Sequence, residues 1–90
     1  MKKTIITVVG KDSVGIIAKV CAYLADNGLN ILDISQTIVN GYFNMMMIVD
    51  FNEAKKDFSS VSDEMDKLGE DIGCTIRVQR EEIFNMMHRL

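Results

Sequence analysis

Residues 3–9, KTIITVV, are almost all β-branched and stop at Gly10, a pattern that predicts a strand. Between residues 14 and 27 the apolar positions Ile17, Val20, Cys21 and Leu24 recur at three- and four-residue steps, which predicts a helix. Asp12 or Ser13 is placed to cap its start, and Asn27-Gly28 to end it. Residues 30–39, NILDISQTIV, and 42–51, YFNMMMIVDF, read as two strands joined by Asn40-Gly41, a pair that tolerates positive φ and favours a two-residue hairpin turn. Asp57 then caps a second helix with a regular stripe, Phe58, Val61, Met65, Leu68 and Ile72. Gly73 closes this helix, although Gly69 inside the stripe offers an earlier end. Residues 74–79, CTIRVQ, form a fourth predicted strand, and residues 81–90, EEIFNMMHRL, a short amphipathic tail helix. Its apolar positions Ile83, Phe84, Met87 and Leu90 share one stripe.

The resulting order, β-α-β-β-α-β with a tail, predicts an α+β, ferredoxin-like sandwich with both helices on one face of an antiparallel sheet. One domain spans residues 1–90, with its core at about 3–79 and its tail helix at about 81–90. The third strand carries more apolar character than one buried face requires. Phe43, Met45, Met47, Val49 and Phe51 alternate to one side, and Met46 and Ile48 to the other. In the first strand Ile5 and Val9 share one face while Ile6 and Val8 share the opposite one. A sheet with one wet face alternates apolar with polar residues. The second face here is expected to be covered by the tail helix, by a partner subunit, or by both, and a homodimer or higher homo-oligomer follows.

Composition supports a folded domain, since hydrophobic residues make up 48% of the 90 positions. A chain this short builds a modest core, so a partner chain would add to it. The net charge is −3 and no run of Lys or Arg could track a phosphate backbone, which argues against direct nucleic-acid binding. Lys2-Lys3 and the following apolar stretch resemble the start of a signal peptide, but Lys11-Asp12 interrupts it too early. No apolar run approaches the ~18 residues of a membrane span, so a cytoplasmic protein without membrane attachment is expected. Cys21 and Cys74 stand apart without metal-type spacing and are read as reduced, buried thiols. No cofactor and no metal is implied.

The segment VVGKDSVGI, residues 8–16, has the outline of a phosphate-binding loop. A P-loop needs Lys followed by Ser or Thr after its last glycine, whereas Ile16 and Ile17 follow Gly15 here. What remains is a strand, a polar loop and a helix start. That helix start can hold an anion or simply turn the chain. Catalytic candidates are few. His88 is the only histidine and lacks the partners of a triad. Asp12 and Asp33 are more simply structural than a catalytic pair. The sulfurs of Met45, Met46 and Met47 cannot converge on a metal from one strand, so the run is read as core packing. Asp63, Glu64 and Asp66 are assigned to the solvated side of the second helix. No enzyme activity is expected.

Three segments together resemble the ACT domain, a small βαββαβ module that regulates amino-acid metabolism. They are the loop GKDSVGI, the strand entry NGLNILDISQT and the strand GYFNMMMIV. The resemblance covers residues 3 to about 79. With the tail IFNMMHRL the whole chain is similar to short stand-alone ACT proteins of the UPF0237 type, themselves similar to the glycine cleavage system repressor. In amino-acid-binding ACT domains the ligand sits at a subunit interface, between the loop after the first strand and the start of the second. Carried to matching positions, the resemblance implies Asp12, Ser13, Val14 and Gly15 in the loop, and Asn30 and Ile31 in the strand. A ligand carboxylate would meet the helix start, and its ammonium the Asp12 carboxylate or the Asn30 amide oxygen. Serine-binding members carry His and Asn in this loop. Asp and Ser stand here, so the ligand's identity does not transfer. The implied function is a regulatory module sensing an amino acid at a subunit interface. The alternative is a protein-interaction module acting on a transcription factor or metabolic enzyme, with no ligand of its own.

Overall fold

The computed structural model describes residues 3–11 and 13–80. Its elements are β1 (Lys3–Gly10), α1 (Ser13–Asp26), β2 (Asn30–Val39), β3 (Tyr42–Asp50), α2 (Phe58–Ile72) and β4 (Thr75–Arg80). The expected order is therefore present, with ends moved by one residue. The predicted tail helix and Asp12 lie outside the described residues.

Asn40 (φ 53°) and Gly41 (φ 79°) make the hairpin turn with the positive φ values that match the twist of two paired strands. The turn sets Val39 opposite Tyr42 and draws β2 along β3. Asp57 caps α2 as expected, its carboxylate accepting the Ser60 N–H at 2.9 Å. That hydrogen bond holds the Asp57 carboxyl below its ordinary pKa. The helix continues through Gly69, which is buried, and ends at Gly73 in the left-handed conformation. The earlier end that Gly69 offered is not used.

The sheet order is β2-β3-β1-β4, every pair antiparallel. Residues paired across strands share a face. One face carries Ile6 and Val8 of β1, Phe43, Met45, Met47 and Val49 of β3, and Ile76 of β4. Ile16, Val20 and Leu24 of α1 and Val61 and Met65 of α2 close over it to form the core. Each such side chain contributes about 1.5–3 kcal/mol by leaving water. The helix stripes are narrower than their sequence suggested. Ile17 and Cys21 are half-buried, as are Phe58, Leu68 and Ile72. The methionine run splits by alternation: Met45 and Met47 enter the core, whereas Met46 is 39% exposed on the opposite face. Core packing thus holds for two of the three.

Cys21 and Cys74 are free thiols and half-buried rather than fully buried, and burial pushes the Cys74 thiol above its ordinary pKa. Glu64 is not simply a solvated residue. It accepts the Tyr23 hydroxyl at 2.8 Å and the Lys56 ammonium at 2.8 and 2.9 Å, joining α1 to α2 and to the loop before it. The Lys56 bond chiefly, and the Tyr23 bond next, hold the Glu64 carboxyl below its usual range. Partial burial, with Glu64 beside it, raises the Tyr23 hydroxyl. Asp63 and Asp66 are exposed as expected.

Candidate ligand site at the two ends of an edge strand

The helix layer leaves β2 uncovered. Asn30 and every residue from 32 to 39 are exposed, and only Ile31 is half-buried. Ile34 is paired with Met47 and Ile38 with Phe43, so both point to the helix side; yet they are 40% and 72% exposed. Being outermost in the sheet, β2 also has, among the described residues, no strand partner for the backbone N–H and C=O groups along its outer side.

The residues expected to bind a ligand fall at opposite ends of this strand pair. Gly10, where the loop leaves β1, is paired with Phe43 beside the hairpin. From there Lys11 places its ammonium 5.5 Å from the centre of the Tyr42 ring. Ser13, Val14 and Gly15 form the first turn of α1, where the helix dipole is positive. Val14 is 79% exposed beside that end. Asn30 and Ile31 are paired with Asp50 and Val49. Phe43 and Asp50 are seven residues apart on β3, a separation of about 24 Å at ~3.4 Å per residue. One chain therefore does not bring the loop and Asn30 together.

A bulge decides how Asn30 and Ile31 are used. From the hairpin to Asp33 the register is regular, and between Ile31 and Asp33 it shifts by one residue at Leu32. Without that shift Ile31 would lie on the same face as Asp33. With it, Ile31 turns onto the core face beside buried Val49, and Asn30 turns to the opposite face beside Asp50. Ile31 accordingly packs against the core, which makes it a support for the site.

Asn30 opens into a cleft of about 440 Å³ lined by Gly28, Leu29, Asn30, Asp50, Asn52 and Glu53. Two chain segments frame it. Lys55 donates its N–H to the Asn27 carbonyl at 2.9 Å, and Asp50 accepts the Asn52 N–H at 2.8 Å. Gly28 has φ 72°, and a Cβ there would stand 2.5 Å from the Glu53 carbonyl oxygen, so only glycine permits this approach. The cleft thus offers two carboxylates and two side-chain amides, while the loop end offers a helix N-terminus and Lys11. Sequence reading missed Asp50, Asn52, Glu53 and Lys11. Counting back from the Asn40-Gly41 turn brings Asp50 to within one residue of Asn30, and the bulge supplies the last step.

Asp33, the other carboxylate considered for catalysis, is exposed on β2 and accepts the N–H of Ile34 next to it. Among the described residues no cluster of His, Cys, Asp or Glu could hold a metal ion, and no helix is long and apolar enough to cross a membrane. His88 lies outside the described residues.

The family model of the ACT domain matches residues 2–79. A UPF0237 protein of Bifidobacterium longum is 62% identical over 90 residues, covering 100% of both chains. Among solved structures, an ACT domain protein from Streptococcus pneumoniae superposes with a TM-score of 0.82 at 46% identity, over 92% of this chain and 93% of that one. A protein assigned as a glycine cleavage system transcriptional repressor matches at TM-score 0.75 and 23% identity, over 88% of this chain and 45% of that one, which shows a shared fold. With its βαββαβ order, its sheet and these matches in agreement, the chain belongs to the ACT-domain family and, within it, to the UPF0237 proteins.

Proposed function

We propose that this protein is a non-catalytic regulatory module that binds a free amino acid between two copies of itself. The observation carrying this reading is the opposite polarity of the two ends of an uncovered edge strand. A helix N-terminus and Lys11 stand at one end, and Asn30, Asp50 and Glu53 at the other. If two β2 strands pair antiparallel about a twofold axis, each loop end meets the Asn30 end of the partner. The α-carboxylate then sits at the helix start and the α-ammonium at the acidic cleft, each against complementary charge. Val14 and Ile38, both more than two-thirds exposed, would be covered in the same step.

A thermal-shift screen over the common amino acids tests this, because a ligand of the folded state raises its melting temperature. An amino acid is expected to stabilise the wild-type chain. Asn30→Ala should weaken its binding by about 1.5–3 kcal/mol through the loss of a charge-assisted hydrogen bond, with the fold intact. Ile38→Lys, on the strand edge, should abolish both self-association and the ligand response. If no amino acid stabilises the chain, the reading returns to a protein-interaction module using the same exposed edge.

A further inference from the structure

The outer side of β2 carries a pattern that selects one register of pairing. Val39 and Tyr42 flank the two-residue Asn40-Gly41 turn, so they exchange backbone hydrogen bonds, and such pairs alternate along an antiparallel ladder. Thr37, Ser35 and Asp33 therefore direct their N–H and C=O groups toward β3. Ile38, Gln36 and Ile34 direct theirs outward, where no strand meets them among the described residues. The regular run ends at the turn after Val39 and at the bulge before Asp33, and Gln36 is its midpoint.

A twofold pairing of antiparallel strands keeps both helix layers on one face, so facing residues come from the same side of each strand. With the axis at Gln36, Ile34 faces Ile38 of the second copy, and Ser35 faces its Thr37. The isoleucines, 40% and 72% exposed, cover one another on the helix side, and the hydroxyl side chains meet on the other. The outward backbone groups of Ile34, Gln36 and Ile38 all gain partners. An axis at Ser35 would set Ile38 against the bulge, and an axis at Thr37 would set Ile34 against the turn. Either leaves the remaining isoleucine opposite Gln36. Charge favours the same register. Asp33 falls beside Val39 of the second copy, Val39 is paired with Tyr42, and the Lys11 ammonium lies 5.5 Å from the centre of the Tyr42 ring.

We infer that two copies join through β2 with Gln36 on the twofold axis, and that Asp33 of each meets Lys11 of the other. This register rests on the proposed pairing of two β2 strands, and adds to it the residue on the axis and an ion pair beside it.

Single cysteines at three neighbouring positions of the full-length chain, under mild oxidation, read the register. Gln36→Cys should form a disulfide-linked dimer well above the wild-type background from Cys21 and Cys74. Its Cα would stand about 5.5 Å from its counterpart, within a disulfide's reach. Ser35→Cys and Thr37→Cys should stay near background, since each lies diagonal to its own counterpart at about 7–8 Å. Cross-linking strongest in either of these would overturn the register while keeping the strand pairing. Cross-linking in none of the three would overturn the β2 interface, and sedimentation showing only monomer would reject the proposed function with it. Lys11→Asp and Asp33→Lys should each weaken association severalfold, and their combination should restore most of it. Additive weakening would overturn the ion pair.

Discussion

β2 and β3 are hydrogen-bonded neighbours of 10 and 9 residues, but their fates differ. Every second residue of β3 from Phe43 to Val49 is buried, whereas β2 is exposed almost throughout. The pair Ile34 and Met47 makes the contrast sharpest: directly opposed on one face, they are 40% and 0% exposed. Both side chains are large and apolar and face the same way, so residue type alone does not set burial. Position under the helix layer does, and two helices of 14 and 15 residues close over β3, β1 and β4 but stop short of β2. Apolar side chains left at an edge beside unpaired backbone groups are the ordinary material of an intermolecular strand pairing.

The largest effect should come from truncating the two members of that pair separately. Met47→Ala is expected to cost about 2–5 kcal/mol, since it empties space in a close-packed core. Ile34→Ala should cost roughly 1 kcal/mol or less in dilute protein, because much of that side chain is already in water. Denaturant titrations of both variants at submicromolar concentration measure the difference. Equal losses would mean that β2 is covered in the monomer.

Removing the bulge comes next. Deletion of Leu32 removes the extra residue and leaves Asp33 opposite Ile48, Ile31 opposite Val49 and Asn30 opposite Asp50, so Ile31 and Asn30 should keep their faces. The expected cost is roughly 1 kcal/mol or less, since Leu32 is 41% exposed, and any ligand response should persist. A deletion variant that loses its stability or its response would show that the extra residue itself, and not only the pairing on either side of it, shapes the site.

The smallest effect concerns the tie that fixes the helix layer in place. Glu64 has a lowered pKa in the folded state, so its contribution to stability is fully present above the carboxylate's unfolded value of about 4.3 and is lost as pH falls through the lower folded value. Melting temperatures from pH 7 to pH 3 should therefore fall more steeply for the wild type than for Glu64→Gln. Coincident profiles would mean that the Tyr23–Glu64–Lys56 contact carries no net stability, the usual outcome for an exposed ion pair.

Much of this molecule is legible in its residues, for local reasons. Asn40-Gly41 fixed the hairpin because few other pairs adopt its dihedral angles, and β-branched or alternating runs fixed the strands. The stripe of α2 and its Asp57 cap were readable in the same way, and so were the family and the inward positions of β3. Glu64 was misread because its partners are 8 and 41 residues away, beyond any local pattern. The narrow buried stripes of the helices escaped as well, since helical spacing gives a direction but not the reach of the opposing layer.

Residue order alone sets which segments become strands and helices, where they turn, and which side of β3 faces inward. These depend on dihedral preferences and on a two-residue period that act within a few positions. The packed fold adds that the helices leave β2 bare, that a bulge at Leu32 sends Asn30 toward Asp50 and Ile31 into the core, and that the loop and Asn30 lie about 24 Å apart. Those outcomes rest on how packed layers overlap and on one unpaired residue in a ladder, quantities that exist only once distant segments meet.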